Sequence, residues 1–184
     1  YTGTEPVVDP MCGSGTFVIE AAEIAAGLVP GRDRAFAFER LATLDRQAIA
    51  ALRNGPARET DLRFFGSDRD QGAVTGAAEN ASRAGVAQLT RFTRAPVSDL
   101  RPPEGPPGLV MINPPYGGRI GDRKPLFALY GSLGAVLADR FGGWRMGLVT
   151  NDGGLAKATG LDLRASEPIA HGGLKVKLYQ AGPL

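Results

Sequence analysis

Glu5-Pro6-Val7-Val8-Asp9-Pro10-Met11-Cys12-Gly13-Ser14-Gly15-Thr16, followed by the run Phe17 to Ala26, is the stretch whose reading decides the fold. A short apolar strand ends in an acid. A turn with two glycines follows, and then a segment with apolar residues at helical spacing and high helix propensity, ending at Gly27. Gly13 and Gly15 let the backbone turn tightly and approach a ligand without Cβ clashes. Strand, glycine turn and helix together open a nucleotide-binding α/β unit. The turn is no dinucleotide fingerprint, because Val18 stands where a third glycine is needed, which counts against a nicotinamide dehydrogenase. Nor is there a Gly-Lys-Ser/Thr run to make a phosphate-binding loop. An acid directly before the turn repels phosphate and suits a cationic ligand end.

S-adenosylmethionine has such an end, carrying an ammonium, a sulfonium and a carboxylate. Asp9 can meet the ammonium, while the helix N-terminus with Ser14 or Thr16 can serve the carboxylate. Leu62-Arg63-Phe64-Phe65-Gly66-Ser67-Asp68 reads as a second strand ending in an acid. Asp68 can accept both ribose hydroxyls of a nucleotide-like cofactor. It can equally cap the helix that starts near Arg69-Asp70. Cys12 is expected to be a small packing residue in the turn rather than a nucleophile.

Further along, Gly108-Leu109-Val110-Met111-Ile112 reads as a buried central strand bounded by prolines, and it leads into Asn113-Pro114-Pro115-Tyr116. Asn113 then falls at the carboxyl end of that strand, where open α/β sheets place their ligands. Consecutive prolines stiffen the loop and remove competing N–H donors. The Asn113 side-chain carbonyl and the Pro114 backbone carbonyl become two preset acceptors, enough to hold and polarise a planar –NH2. Tyr116 offers a ring on which a heterocyclic base can stack, worth roughly 1–3 kcal/mol per base. Asn-Pro-Pro is also an ordinary turn sequence, and Tyr116 could simply cap a core.

The remaining chain fits an α/β layout. Residues 31–60 read as a helical insertion whose arginines (Arg32, Arg34, Arg40, Arg46, Arg53, Arg58) form a solvated face. Ala73 to Ala84 is a helix stopped by Gly85, and Leu89 to Arg94 is a third strand before the loop Ala95 to Asp99. Gly117-Gly118-Arg119-Ile120-Gly121-Asp122-Arg123-Lys124 is glycine-rich and basic, suited either to closing over a polyanion or to a plain structural loop. Leu126 to Phe141 is an amphipathic helix and Trp144 to Thr150 a fifth strand. Leu163 to Ile169 and Leu174 to Gln180 form an antiparallel hairpin turning at His171-Gly172-Gly173, with His171 a turn residue.

Composition narrows the classes. With 184 residues, 43% hydrophobic and 22% charged, the chain is expected to be one globular domain over 1–184. A net charge of +2 demands no polyanionic partner, yet arginine, the better phosphate and base-stacking cation, greatly outnumbers lysine. A single cysteine allows no internal disulfide, and one Cys with one His builds no metal cluster, so no metal is expected. The chain shows no signal peptide and no apolar run that could span a bilayer, so the expected location is the cytoplasm, away from membranes.

Asp9-Pro10-Met11-Cys12-Gly13-Ser14-Gly15-Thr16 with the following Ile-Glu-Ala-Ala, then Gly66-Ser67-Asp68, then Asn113-Pro114-Pro115-Tyr116-Gly117-Gly118-Arg119, resemble the class I RNA methyltransferases that usually accompany a THUMP domain. These include the ribosomal and transfer RNA guanine exocyclic-amine methyltransferases. The resemblance implies a Rossmann-like, seven-stranded, mostly parallel sheet with an antiparallel last strand and helices on both faces. It implies S-adenosylmethionine as cofactor and methylation of a guanine amine in RNA. By that likeness Asp9, Pro10, Cys12, Gly13, Ser14, Gly15 and Thr16 hold the methionine part, Asp68 the ribose, and Asn113, Pro114, Pro115 and Tyr116 the amine and base. Asn113 also borders the cofactor, while Tyr116, Arg119, Arg123 and Lys124 face the RNA. The family often places an acid after the third strand to touch the adenine amine. Here Ala95 or Pro96 stands near that place and Asp99 comes late, so backbone groups of Val97 would serve. The chain starts at the first strand, with no THUMP domain before it, so RNA recruitment is expected from an upstream domain. The alternatives are an adenine-amine or glutamine-amide methyltransferase and a non-catalytic RNA-binding module.

Overall fold

The computed structural model describes residues 1–116 and 124–184. Among these, eight strands join one sheet: β1 (Val7–Asp9), β2 (Phe64–Asp68), β3 (Thr90–Arg94), β4 (Leu109–Ile112), β5 (Arg145–Thr150), β6 (Arg164–Ala165), β7 (Ile169–His171) and β8 (Leu174–Ala181). Five α-helices accompany them: α1 (Thr16–Ala25), α2 (Arg46–Arg53), α3 (Gln71–Arg83), α4 (Lys124–Arg140) and α5 (Gly153–Ala158). The strand order is β3-β2-β1-β4-β5-β8-β6, with β7 added to the end of β8. The strands β1 to β5 run parallel, and β8 runs antiparallel to β5, β6 and β7. The expected mostly parallel sheet with an antiparallel last strand is therefore present.

Alternation along the strands sorts the core into two layers. Val7, Phe64 and Leu109 face one way, onto Val18, Ala21, Ala22 and Ala25 of α1 and Ala81 of α3. Val8, Val110 and Ile112 face the other way, onto Leu126, Tyr130, Leu133 and Leu137 of α4 and Leu155 of α5. The α4 residues recur every three or four positions, so one stripe of the helix is buried. Each such fully buried side chain stabilises the fold by about 1.5–3 kcal/mol. Val110 and Ile112 are fully covered, as a strand flanked by two others requires.

Several boundaries differ from expectation. The stretch 163–169 is not one strand: Pro168 has no N–H for a ladder, and pairing breaks into β6 and β7 on either side of Ser166. Gly172 and Gly173 at φ 54° and 83° make the tight turn into β8, and His171 ends β7, exposed beside it. Within 31–60, Ala37–Arg40 is a single 3-10 turn and only α2 is α-helical, with no buried residue in either. Val97–Asp99 forms one 3-10 turn inside the expected loop.

The sheet's α1 face is only half covered. Over β4, β5 and β8 a trough of about 890 Å³ is lined by Phe17, Ile24, Leu109, Met111 and Leu178. It opens on the side of the sheet, whereas strand order reverses between β1 and β4, and their carboxyl ends mark the place where open sheets bind ligands. No helix among the described residues is long and apolar enough to cross a membrane.

Candidate active site

Asp9 closes β1 at the reversal point. It is 2% exposed, and its Oδ1 accepts the Met11 N–H at 3.0 Å. Burial pushes its carboxyl up to about 7; the Met11 N–H opposes this, and the nearby Asp68 charge adds to it. Pro10 beside it is buried. The turn that follows is pinned twice by backbone, from Cys12 N–H to the Ser67 carbonyl at 2.9 Å and from Gly15 N–H to the Cys12 carbonyl at 2.7 Å. Gly13 and Gly15 take φ 50° and 83°, left-handed values that the glycine identity permits.

The two glycines differ in what surrounds them. A side chain on Gly15 would sit 3.0 Å from Ala77 Cβ and the Phe92 ring, so this glycine also lets α1 pack down. A side chain on Gly13 would meet nothing within 4 Å, which makes Gly13 the open floor of the cleft. Gly66 on β2 is needed for a third reason: a Cβ there would lie 2.5 Å from the Phe92 ring.

Gly15 is the N-cap of α1 and supplies no side-chain cap, so the first N–H groups of that helix are left for an acceptor. The Ser14 and Thr16 hydroxyls, both exposed, lie 3.1 Å apart at the same end. Asn80, on α3, donates to the Ser14 carbonyl at 2.8 Å and so braces the turn. Nothing in the sequence marked it, because 66 residues separate the two positions. Cys12 is buried, and burial with the Asp9 and Asp68 charges pushes its thiol up to about 12, so it stays a packing thiol at neutral pH.

Asp68 closes β2. Its Oδ2 accepts the Gly13 N–H at 3.1 Å and its Oδ1 the Asp70 N–H at 3.0 Å. A carboxylate has about four acceptor sites, so each oxygen keeps a lone pair for a further donor. The cap of α3 is Asp70, whose Oδ1 accepts the Gly72 N–H at 2.8 Å. Of the two roles that the sequence left open for Asp68, the cap of α3 thus falls to Asp70. The Ala95 N–H, donating to the Asp68 carbonyl at 3.0 Å, brings the end of β3 alongside, and half-buried Val97 follows in its 3-10 turn. Asp99 is exposed and borders a separate hollow with Phe65 and Arg91.

Asn113 leaves β4 next to these groups. It is exposed, and among the described residues its carboxamide makes no hydrogen bond. Pro114 is buried, Pro115 exposed and Tyr116 half-buried against the α4 core. The Tyr130 hydroxyl donates to the Pro115 carbonyl at 3.4 Å. In sequence, Tyr130 was visible only as one member of the apolar stripe of α4. Lys124 is the first residue of α4, exposed. The expectations for Arg119 and Arg123 lie outside the described residues. Among those described, no group of three or more His, Cys, Asp or Glu could hold a metal ion.

The site thus gathers two carboxylates, an unengaged helix N-terminus, a bare glycine floor and an exposed carboxamide at adjoining strand ends. These fit a ligand with a cationic end, an anionic end and a vicinal diol beside a polar acceptor. A cofactor of the S-adenosylmethionine kind has those groups.

Comparison with known proteins agrees. The ribosomal RNA large subunit methyltransferase K/L of Chromohalobacter salexigens is 38% identical over 184 residues, covering 95% of this chain and 25% of that protein. The crystal structure of SMU.472 complexed with SAH superposes with a TM-score of 0.85 at 33% identity, over 98% of this chain and 48% of that one. A Listeria monocytogenes structure described as a predicted N6-adenine-specific DNA methylase gives 0.82 at 31%, over 100% and 48%. This chain therefore spans a quarter of the length of the curated relative and about half of the solved chains. A family model, UPF0020 (RMKL-like, methyltransferase domain), matches residues 1–176, and the chain belongs to that methyltransferase family.

Proposed function

We propose that this domain transfers a methyl group from S-adenosylmethionine to the exocyclic amine of a guanine in RNA, ribosomal or transfer. The observation that carries the reading is Asn113: exposed, unengaged among the described residues, and placed at the carboxyl end of β4 across the strand-order reversal from Asp9. The RNA class is supported by the relative's name, and the guanine amine by the sequence resemblance.

When bound, the cofactor supplies a methyl group already activated on a sulfonium. The protein's work is to bind, align and exclude water. Asp9, ionised beside an ammonium, and the N–H groups opening α1 hold the two ends of the methionine part. The spare lone pairs of Asp68 accept the ribose hydroxyls, and Val97 lines the adenine side. Asn113 Oδ1 and the Pro114 carbonyl accept the two hydrogens of the substrate amine. That grip draws the nitrogen lone pair out of the ring and stabilises the positive charge that develops on nitrogen. Tyr116 stacks the base, and Lys124 with Arg119 and Arg123 serves the phosphates. As the N–C bond forms, the C–S bond breaks with its electron pair going to sulfur, and the amine then gives one proton to solvent. No strong base is needed before transfer. The base must leave its stack to reach Asn113, a cost of a few kcal/mol that is smaller for an unpaired base. We assign recruitment of the RNA to a domain outside these residues, as the relatives are longer than this chain.

Two acceptors suit any flat –NH2, and the Listeria structure's description favours an adenine amine in DNA as the second reading. Tritium transfer from labelled cofactor to unmodified ribosomal RNA, transfer RNA and DNA, followed by nucleoside analysis, separates the two. Labelled N2-methylguanosine is the expected product; labelled N6-methyladenine alone would replace the guanine assignment. Asn113→Ala should lower turnover by roughly a hundredfold or more, with cofactor affinity by calorimetry nearly unchanged. Loss of cofactor binding in that variant would make Asn113 a scaffold residue instead.

A further inference from the structure

The Tyr130 ring lies fully buried in the α4 layer, where a phenylalanine would fill the same space. Its hydroxyl is a different matter, since a buried hydroxyl is costly unless hydrogen-bonded. It donates to the Pro115 carbonyl at 3.4 Å.

That bond matters because of what it reaches. Pro114 and Pro115 carry no N–H, so their part of the rim can be tied down by hydrogen bonds only through carbonyls. The Pro115 carbonyl is tied through Tyr130. At 3.4 Å that bond is longer than a relaxed O–H···O contact, and contacts at such sites commonly tighten once the substrate is in place.

We propose that Tyr130 is a positioning residue for methyl transfer. Through the Pro115 carbonyl it sets the pose of the Asn113–Tyr116 rim. This inference rests on the reading of the rim as the amine site. A rim free to rock would still admit base and cofactor but would hold the amine out of line, and misplacement on the ångström scale slows transfer while sparing binding.

The test uses the full chain, S-adenosylmethionine and an unmodified large-subunit ribosomal RNA transcript. Tyr130→Phe removes the hydroxyl while keeping shape. It should lower kcat about three- to tenfold, the worth of one hydrogen bond, with KM for RNA and cofactor Kd changed less than twofold. A purely structural hydroxyl would lower melting temperature with kcat intact, or raise KM and Kd together, and either result overturns the proposal. Asn113→Ala runs beside it: wild-type kcat in that variant removes the amine site itself. A dead Asn113→Ala with an unimpaired Tyr130→Phe removes only the positioning role.

Discussion

Asp9 carries the largest electrostatic tension described in the cleft, and that tension has a sign. In the unfolded chain its carboxyl ionises near 3.8; folded, burial moves it to about 7. Between those values the folded state holds a proton that the unfolded state has lost, so stability falls as pH rises from about 4 to about 7 and the loss is complete above that. Calorimetric melting temperatures should therefore decline across this window, and Asp9→Asn should flatten the decline by removing the titration. An unchanged slope in the variant would place the titration elsewhere. The same residue has a functional consequence. A cation seated beside Asp9 draws its carboxyl back down, so the affinity for a cationic cofactor should rise with pH through 7.

At the scale of elements, what was legible in sequence is what local chemistry dictates. The β1–turn–α1 unit follows from two left-handed glycines and a 3.6-residue apolar pattern, both of them local properties. Helix α4 was equally plain from its stripe. The braces were not. Asn80 reaches Ser14, and Tyr130 reaches Pro115, across folded space rather than along the chain. The arginines of 31–60 were read as a solvated face, yet Arg53 pairs with Glu39 at 2.5 Å and reaches the Arg34 carbonyl at 2.7 Å. The Arg34 guanidinium lies 4.6 Å from the centre of the Phe36 ring. Those contacts brace the insertion internally. Helix α2 is only 8 residues long with none buried, so its cap carries much of its stability. Asp45 Oδ1 accepts the Gln47 and Ala48 N–H groups, both at 2.9 Å. Asp45→Ala should cost about 1 kcal/mol locally. Amide exchange over 46–53 should then quicken by about fivefold, with the global melting temperature moving by less than about 2 °C. Matching acceleration in α1 and α3 would mean that the insertion belongs to the main cooperative unit.

At the scale of the whole molecule, strand order decides where the chemistry can be. Because the sheet winds outward in both directions from β1 and β4, the loops after those strands part and leave a crevice. Asp9, Asp68 and Asn113 stand at the carboxyl ends of three neighbouring parallel strands, although 104 positions separate the first from the last (113 − 9). A ligand there bridges β1, β2 and β4, and so binds the folded state while finding no such site in the unfolded chain. At a concentration a hundred times its Kd it should stabilise by about 2.7 kcal/mol. For a domain of this length that is a rise of roughly 5–11 °C in Tm. S-adenosylmethionine should produce the rise, and more strongly at pH 8 than at pH 6 for a fixed concentration, because Asp9 must be ionised to meet the ammonium. NAD should produce none, since Asp9 repels a pyrophosphate brought to this turn. A rise with NAD, or a cofactor response that does not change with pH, would break the link between the buried acid and the cationic end of the ligand, and with it the assignment of the β1 turn to the methionine half.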